Sequence, residues 1–276
     1  MSAEKNARRK VNQVPKRKLD LKIKDLAWTE KQQELIRTAL NKDSRIVFVK
    51  GKAGTSKTII STYCALQLLN QGKVSDIIFV RAAVESADSK LGYLPGDMDS
   101  KIKYYNLPFV DKLEELLSKT EINSLHEQEK VQGFPVNFAR GMHWADKAII
   151  VDEAQNLTRN ELKTLITRLG NFSRMYILSD PEQSDLPANK QGGVEYFSNL
   201  FGDEESKRNG IHTFEFDVED IMRSGLCKFV VKRMDEETET EKLILSSKAK
   251  KIPAYKAPLI PSIVYPEDNE WSPQIK

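Results

Sequence analysis

Four short runs of successive apolar residues stand out along the middle of the chain: RIVFVK (45–50), DIIFVR (76–81), KAIIVD (147–152) and RMYILSD (174–180). None alternates apolar with polar positions, so each reads as a strand buried on both faces. Between them lie segments with apolar residues at helical spacing, chiefly 58–70 and 157–169. Strands of this kind separated by helices predict a mostly parallel sheet covered by helices on both sides. Weaker strand patterns occur at 213–216 and 227–231, and Phe109, Leu113, Leu116 and Leu117 have the spacing of a core-facing helix. Upstream, Thr29 is placed to cap an amphipathic helix. The predicted class is α/β.

The two ends break the pattern. Residues 1–24 hold nine basic side chains against Glu4 and Asp20, a net of +7, and form a basic flexible arm. The whole chain is +3, so the remainder is 3 − 7 = −4. Such an arm either neutralises nucleic-acid phosphates or is a solvated tail. It has no interleaved aromatic residue to stack on bases. Five of the eleven prolines fall in the last 24 residues, behind the acidic stretch DEETETE (235–241). Residues 234–276 are therefore expected to be an extended acidic, then proline-rich, tail. That leaves 25–233 as one domain.

Composition narrows the setting. No apolar run approaches the ~20 residues of a membrane span. The opening MSAEKNARRK lacks the apolar segment of a secretory signal. Cys64 and Cys227, with His126, His143 and His212, show neither disulfide nor zinc spacing. The expectation is a cytoplasmic protein with no membrane partner.

Chemistry concentrates after the strands. GKAGTSKT (51–58) lies between a strand and a helix. In that position small residues let successive backbone N–H groups face an anion at a helix N-terminus. Gly51, Lys52, Ala53, Gly54, Thr55 and Ser56 form the loop, Lys57 reaches the β- and γ-phosphates, and Thr58 offers a hydroxyl to Mg²⁺. Ser56 occupies a position where the pattern asks for glycine. A second motif, AIIVDEAQN (148–156), sets two adjacent carboxylates at the end of a buried strand, where ligands of open α/β sheets sit. Asp152 would hold Mg²⁺ and Glu153 polarise the attacking water, with Gln155 near enough in sequence to sense the γ-phosphate. The plainer alternative makes the two carboxylates caps of the helix beginning near 157–158. Asp180 and Gln183 of LSDPEQSDLP (178–187) end another strand and would read the same phosphate, although that composition also suits an ordinary turn. Gln32 is placed to reach an adenine edge.

In order along the chain, GKAGTSKT, FVRAAVESADSKLGYLPGD (79–97), KIKYYNLPFVDKL (101–113), FARG (138–141), IIVDEAQNLTRNELKTLITRLG (149–170), SDPEQSDLP (179–187) and EDIMRSGL (219–226) resemble the PhoH family of ATPases. The family's nucleotide motifs are similar to those of superfamily-one helicases. The resemblance implies a single RecA-like P-loop NTPase domain that binds and hydrolyses ATP with Mg²⁺; some members are linked to RNA unwinding, and ring-shaped oligomers are known. Matched by position, Lys57 and Thr58 belong to the phosphate loop, Asp152 and Glu153 to the acidic pair, Gln183 to the sensor and Arg223 to an arginine near the domain's end. Ser56 departs from the family's glycine, and Ala82 stands where a proline usually follows the arginine.

Phosphoryl transfer needs positive charge beyond Mg²⁺ and Lys57. Arg223 is the first choice to supply it, across a subunit boundary, ahead of Arg81, Arg140 and Arg168. One such domain per chain implies a homo-oligomer, a hexameric ring, if the protein moves along RNA or single-stranded DNA. Lys90, Lys101, Lys103, Tyr104 and Tyr105 combine cations with aromatic faces for such a strand, although the two tyrosines equally suit loop packing. Two functions therefore compete: an ATPase acting on nucleic acid, and an ATP-binding regulatory or assembly protein with little turnover. A P-loop kinase is disfavoured, because no acceptor-binding signature accompanies the acidic pair.

Overall fold

The computed structural model describes residues 18–81 and 108–222, together with a few positions between 225 and 236. Its elements run α1 (Glu30–Leu40), β1 (Ile46–Lys50), α2 (Lys57–Asn70), β2 (Asp76–Arg81), α3 (108–116), α4 (Lys119–Glu127), β3 (Val131–Pro135), β4 (Lys147–Asp152), α5 (Arg159–Ile166), β5 (Arg174–Ser179), α6 (Gly193–Leu200), α7 (Glu204–Arg208) and β6 (Ile211–Glu215). The described strands form one six-stranded sheet in the order β3-β2-β4-β5-β1-β6, with every pairing parallel. This is the α/β class that the alternation of strands and helices predicts.

The unbroken apolar runs have the cause assigned to them: both faces are covered. Val47, Val49, Ile77, Phe79, Ile150 and Leu178 point into one core with α1 to α4, where Phe79 stacks on Phe109 at 4.8 Å between ring centroids. Phe48, Ile78, Val80, Ile149, Val151 and Ile177 point into a second core beneath α5 and α6. Burying a side chain of this size is worth roughly 1.5–3 kcal/mol, so an unpartnered polar substitution on either face would be costly.

Register sets the future site. Arg81 lies opposite Asp152 and Lys50 opposite Ser179, so β1, β2, β4 and β5 end flush along one edge. At the other edge the sheet is stitched by charge. Lys147 and Lys130 both pair with Asp76. Burial pushes the Asp76 carboxyl up, but hydrogen bonds from Lys147 and Ser75 outweigh it and hold the group below its ordinary value. Arg174 donates to the Lys42 carbonyl at 2.7 Å.

Several local expectations change. The weak strand at 213–216 begins two residues earlier, as Ile211–Glu215. The strand expected at 227–231 fails at its described positions: Phe229 and Val230 are helical and exposed, and among the described residues no strand pairs with them to reward their β propensity. β3 has no counterpart in the reading, because Gly133 and Pro135 mask it; the sheet's edge accepts both residues. The basic arm expected over 1–24 is docked from its last residues onward. Leu19, Leu21 and Ile23 pack against the first core, and the Leu19 and Lys24 amides donate to the carbonyls of Asn70 and Leu116 at 3.2 and 2.9 Å. Beyond Phe229 a second unit begins, in which Arg233 pairs with Glu236 at 3.2 Å. No described helix is long and apolar enough to cross a membrane.

Candidate nucleotide site

The loop leaving β1 is fixed from its first residue. The Gly51 amide donates to the Ser179 carbonyl at 3.1 Å, tying the loop to β5. A Cβ at Gly51 would lie 2.8 Å from the Phe216 Cβ, so the chain following β6 leaves room only for glycine. Thr55 is buried and its hydroxyl donates to the Lys52 carbonyl at 2.8 Å. Ser56 has φ +67°, the left-handed conformation that glycine adopts without cost. Its side chain makes no cap on α2. The Lys57 ammonium turns back over the loop and donates to the carbonyls of Gly51 (2.5 Å) and Lys52 (2.9 Å). Lys52 pairs with Glu182 at 2.9 Å.

The first turn of α2 meets the end of β4. Thr58 donates its hydroxyl hydrogen bond to Asp152 at 3.2 Å. Asp152 is buried, and burial together with the neighbouring Glu153 pushes its pKa up to about 6, against the opposing pull of Arg81 and the Thr58 bond. Glu153 follows in a left-handed conformation, φ +52°, which turns its carboxylate out of the strand. Arg81 faces it at 3.8 Å and the Gln155 amide donates to it at 2.6 Å. Neither carboxylate caps α5: Thr158 does, in a reciprocal box with Glu161. The alternative of two capping carboxylates is thereby removed.

From β5 come Asp180 and Gln183. Burial pushes the Asp180 carboxyl up; Lys57 and the amides of Glu182 and Ala53 work against that. These parts surround one cavity of about 380 Å³, within the size range of small-ligand sites. Gly54, Ser56, Lys57 and Thr58 line it from the phosphate loop, Asp152 and Glu153 from β4, and Gln183 from beyond β5. Lys112 and Glu115 of α3, Gln155, Asp180 and Met222 also line it; Lys112 lies within KIKYYNLPFVDKL and Met222 within EDIMRSGL, whereas no pattern in the sequence marks Glu115. Met222 also donates its amide to the Gly54 carbonyl at 3.0 Å.

Other expected residues fall elsewhere. Gln32 is buried and is not part of that wall; its carbonyl accepts from the Thr29 amide at 3.0 Å, within the capping box of α1. Arg140 is exposed, and the Arg168 guanidinium touches the Thr167 hydroxyl at 3.4 Å. Neither lines the cavity. Arg223, Ala82, Lys90, Lys101, Lys103, Tyr104 and Tyr105 lie outside the described residues. Among the described residues no cluster of three or more His, Cys, Asp or Glu could hold a metal by itself. Thr58 and Asp152 instead suit Mg²⁺, which takes one or two protein oxygens and completes its shell with phosphate and water.

Residues 25–235 match a family model described as PhoH-like protein. The chain belongs to the PhoH-like family. Among curated relatives, a PhoH-like protein of Synechocystis is 32% identical over 78% of this chain, and one of Bacillus subtilis is 34% identical over 72%. Protein PhoH of Escherichia coli is 34% identical over 74% of this chain. The chain spans 63%, 61% and 56% of those three proteins' lengths, in that order. Among solved structures, the large terminase of a thermophilic bacteriophage aligns at 13% identity over 76% of this chain and 50% of its own, with a TM-score of 0.47. A Bacteroides Pif1 helicase in complex with ADP-AlF3 and single-stranded DNA aligns at 17% identity over 70% of this chain and 42% of its own, with a TM-score of 0.33.

Proposed function

We propose that this PhoH-like P-loop protein binds ATP with Mg²⁺ and hydrolyses it. The observation that carries the reading is the Thr58–Asp152 contact, which sets a hydroxyl and a buried carboxylate together beside Lys57 and Glu153 on one cavity. Lys57 would exchange its two loop carbonyls for the β- and γ-phosphates. The amides of the loop and the first turn of α2 would hold the phosphate oxygens. Thr58 and Asp152 would hold Mg²⁺, which when bound supplies neutralising charge between phosphate oxygens. Glu153 would orient and polarise the attacking water, and Gln183 would report the γ-phosphate. Gln32 is proposed for the adenine edge. Arg223 is proposed to supply positive charge to the transition state across a subunit boundary.

Phosphate release from wild type and Glu153→Gln, with and without RNA or single-stranded DNA, tests the reading. Wild type should release phosphate, and Glu153→Gln should bind ATP but lose about 10²-fold or more in turnover. Equal rates for the two proteins would overturn hydrolysis, whatever nucleic acid is present. The second reading, an ATP-binding regulatory protein with little turnover, is favoured by one observation: the non-glycine left-handed residue Ser56 at the phosphate loop. It predicts tight ATP binding with no release above the Glu153→Gln background.

A further inference from the structure

Gln155 sits between the two strand ends that form the site, and every end of its amide is spoken for. Its Nε2 donates to the Glu153 carboxylate at 2.6 Å and to the Gln183 backbone carbonyl at 3.3 Å. Its Oε1 accepts from the Asp180 backbone amide at 3.0 Å. The amide can face only one way, because a carboxylate and a carbonyl both need a donor while a backbone N–H needs an acceptor. The residue's own carbonyl accepts from the Ser184 hydroxyl at 3.1 Å. Next to it, the Asn156 side chain takes the Asp185 amide at 2.7 Å. Gln155 is 5% exposed, so these bonds form away from bulk water, where losing a partner is costly.

This differs from a γ-phosphate sensor, which needs a free donor. We infer that Gln155 is a positioning residue: its amide fixes the Glu153 carboxylate to the loop following β5, so that the two move as one piece. The inference rests on the hydrolysis reading, because it concerns how Glu153 is aimed. Glu153 has a left-handed backbone and lies beyond the ladder of β4, so the sheet alone does not set its carboxylate. Arg81, at 3.8 Å, draws on the other oxygen of the same carboxylate. Gln155 supplies direction where Arg81 supplies charge. Asp180 and Gln183, which would face the γ-phosphate, are held by the same amide through their backbones. Any shift of that loop is therefore passed to the carboxylate.

The test compares wild type, Gln155→Ala and Gln155→Glu for kcat, KM for ATP, ADP affinity by fluorescence titration, and Tm. Gln155→Glu keeps the shape and the acceptor for Asp180 but turns both donors into an acceptor facing Glu153. Outer-shell partners of this kind typically cost about 10–100-fold in activity when removed. Both variants should lose about tenfold or more in kcat. KM for ATP and ADP affinity should change less than kcat, because Gln155 lines the cavity but its amide is held by Glu153, Asp180 and Gln183. If Gln155→Ala does not fold, Gln155→Glu decides alone. A Gln155→Glu protein that keeps its kcat, or that loses ADP affinity in step with kcat, overturns the assignment. If wild type itself releases no phosphate, the hydrolysis reading falls and takes the assignment with it; if wild type is active and only the variants fail to differ, the assignment falls alone.

Discussion

The hydroxyl of Thr58 donates to the carboxylate of Asp152 at 3.2 Å, joining the first turn of α2 to the last residue of β4 across 94 positions of sequence. The bond only partly offsets what burial and Glu153 do to Asp152, whose pKa stands near 6 against an ordinary 3.8. The folded protein therefore holds this proton to higher pH than the unfolded chain. Stability of the ligand-free protein falls as pH rises from about 4 to 6, and the deficit is complete above that window. Asp152→Asn should raise ligand-free stability at pH 7.5 by about 1–3 kcal/mol and leave it nearly unchanged at pH 4. Urea unfolding at the two pH values measures this, and an Asn variant no more stable at pH 7.5 would count against a strained carboxylate.

Ser56 carries a different strain. At φ +67° a serine costs about 1 kcal/mol relative to glycine, and its side chain returns no cap to α2. Ser56→Gly should raise the unfolding free energy by about 0.5–1 kcal/mol, seen as a higher urea midpoint and reduced by the greater freedom of glycine in the unfolded chain. A lower midpoint would mean that the serine side chain contributes more than its conformation costs.

Two glycines with nearly the same φ separate space from conformation. Gly210 (φ +81°) and Gly192 (φ +82°) are both left-handed. A Cβ at Gly210 would stand 2.1 Å from the Asp43 carbonyl oxygen, whereas nothing lies within 4 Å at Gly192. Gly192→Ala should cost about 1 kcal/mol, and Gly210→Ala should cost several times as much, about 3 kcal/mol or more. Parallel denaturation curves give the ratio; equal losses would show that the Asp43 turn yields freely.

Glu182 pairs with Lys52 at 2.9 Å at the mouth of the phosphate loop. On the proposed function, a triphosphate would compete with this carboxylate for the same ammonium and be repelled by its charge. Both partners reach solvent, so the effect is modest: Glu182→Gln should tighten ATP binding by about 2–5-fold, with the gain shrinking as salt is added. Titration at low and high ionic strength reads both. Weaker binding in the variant would assign Glu182 a supporting role at the loop instead.

Much of this molecule is written into its buried runs. The four unbroken strands, the loop at 51–58 and the carboxylates at 152 and 153 need only local pattern, because burial on two faces and a phosphate cradle both demand contiguous residues. Three features resist that reading for physical reasons. β3 carries Pro135, which sheets confine largely to edge strands, and Gly133, which weakens a strand, and sheet position is not a local property. Phe229 and Val230 have strand-forming side chains without a described strand to pair with, and are helical. Gln155 reads as a polar residue near a phosphate site, yet its role depends on Asp180 and Gln183, which lie 25 and 28 residues away in sequence. Gln32 shows what local pattern does carry: its place in the capping box of α1 is visible from Thr29 three residues before.

β4 joins two kinds of position within six residues. Lys147 at its start holds Asp76 and closes the lower edge of the sheet, while Asp152 at its end is buried at the nucleotide cavity and raises the free energy of the fold at neutral pH. Selection acts on these ends through different quantities. A library of variants sorted by cellular abundance should penalise Lys147 and spare or favour changes at Asp152, and one sorted by turnover should reverse the weight given to Asp152. The direction of a single strand is thus a gradient from persistence to work, and the other strands that end at this edge, β1, β2 and β5, are expected to share it.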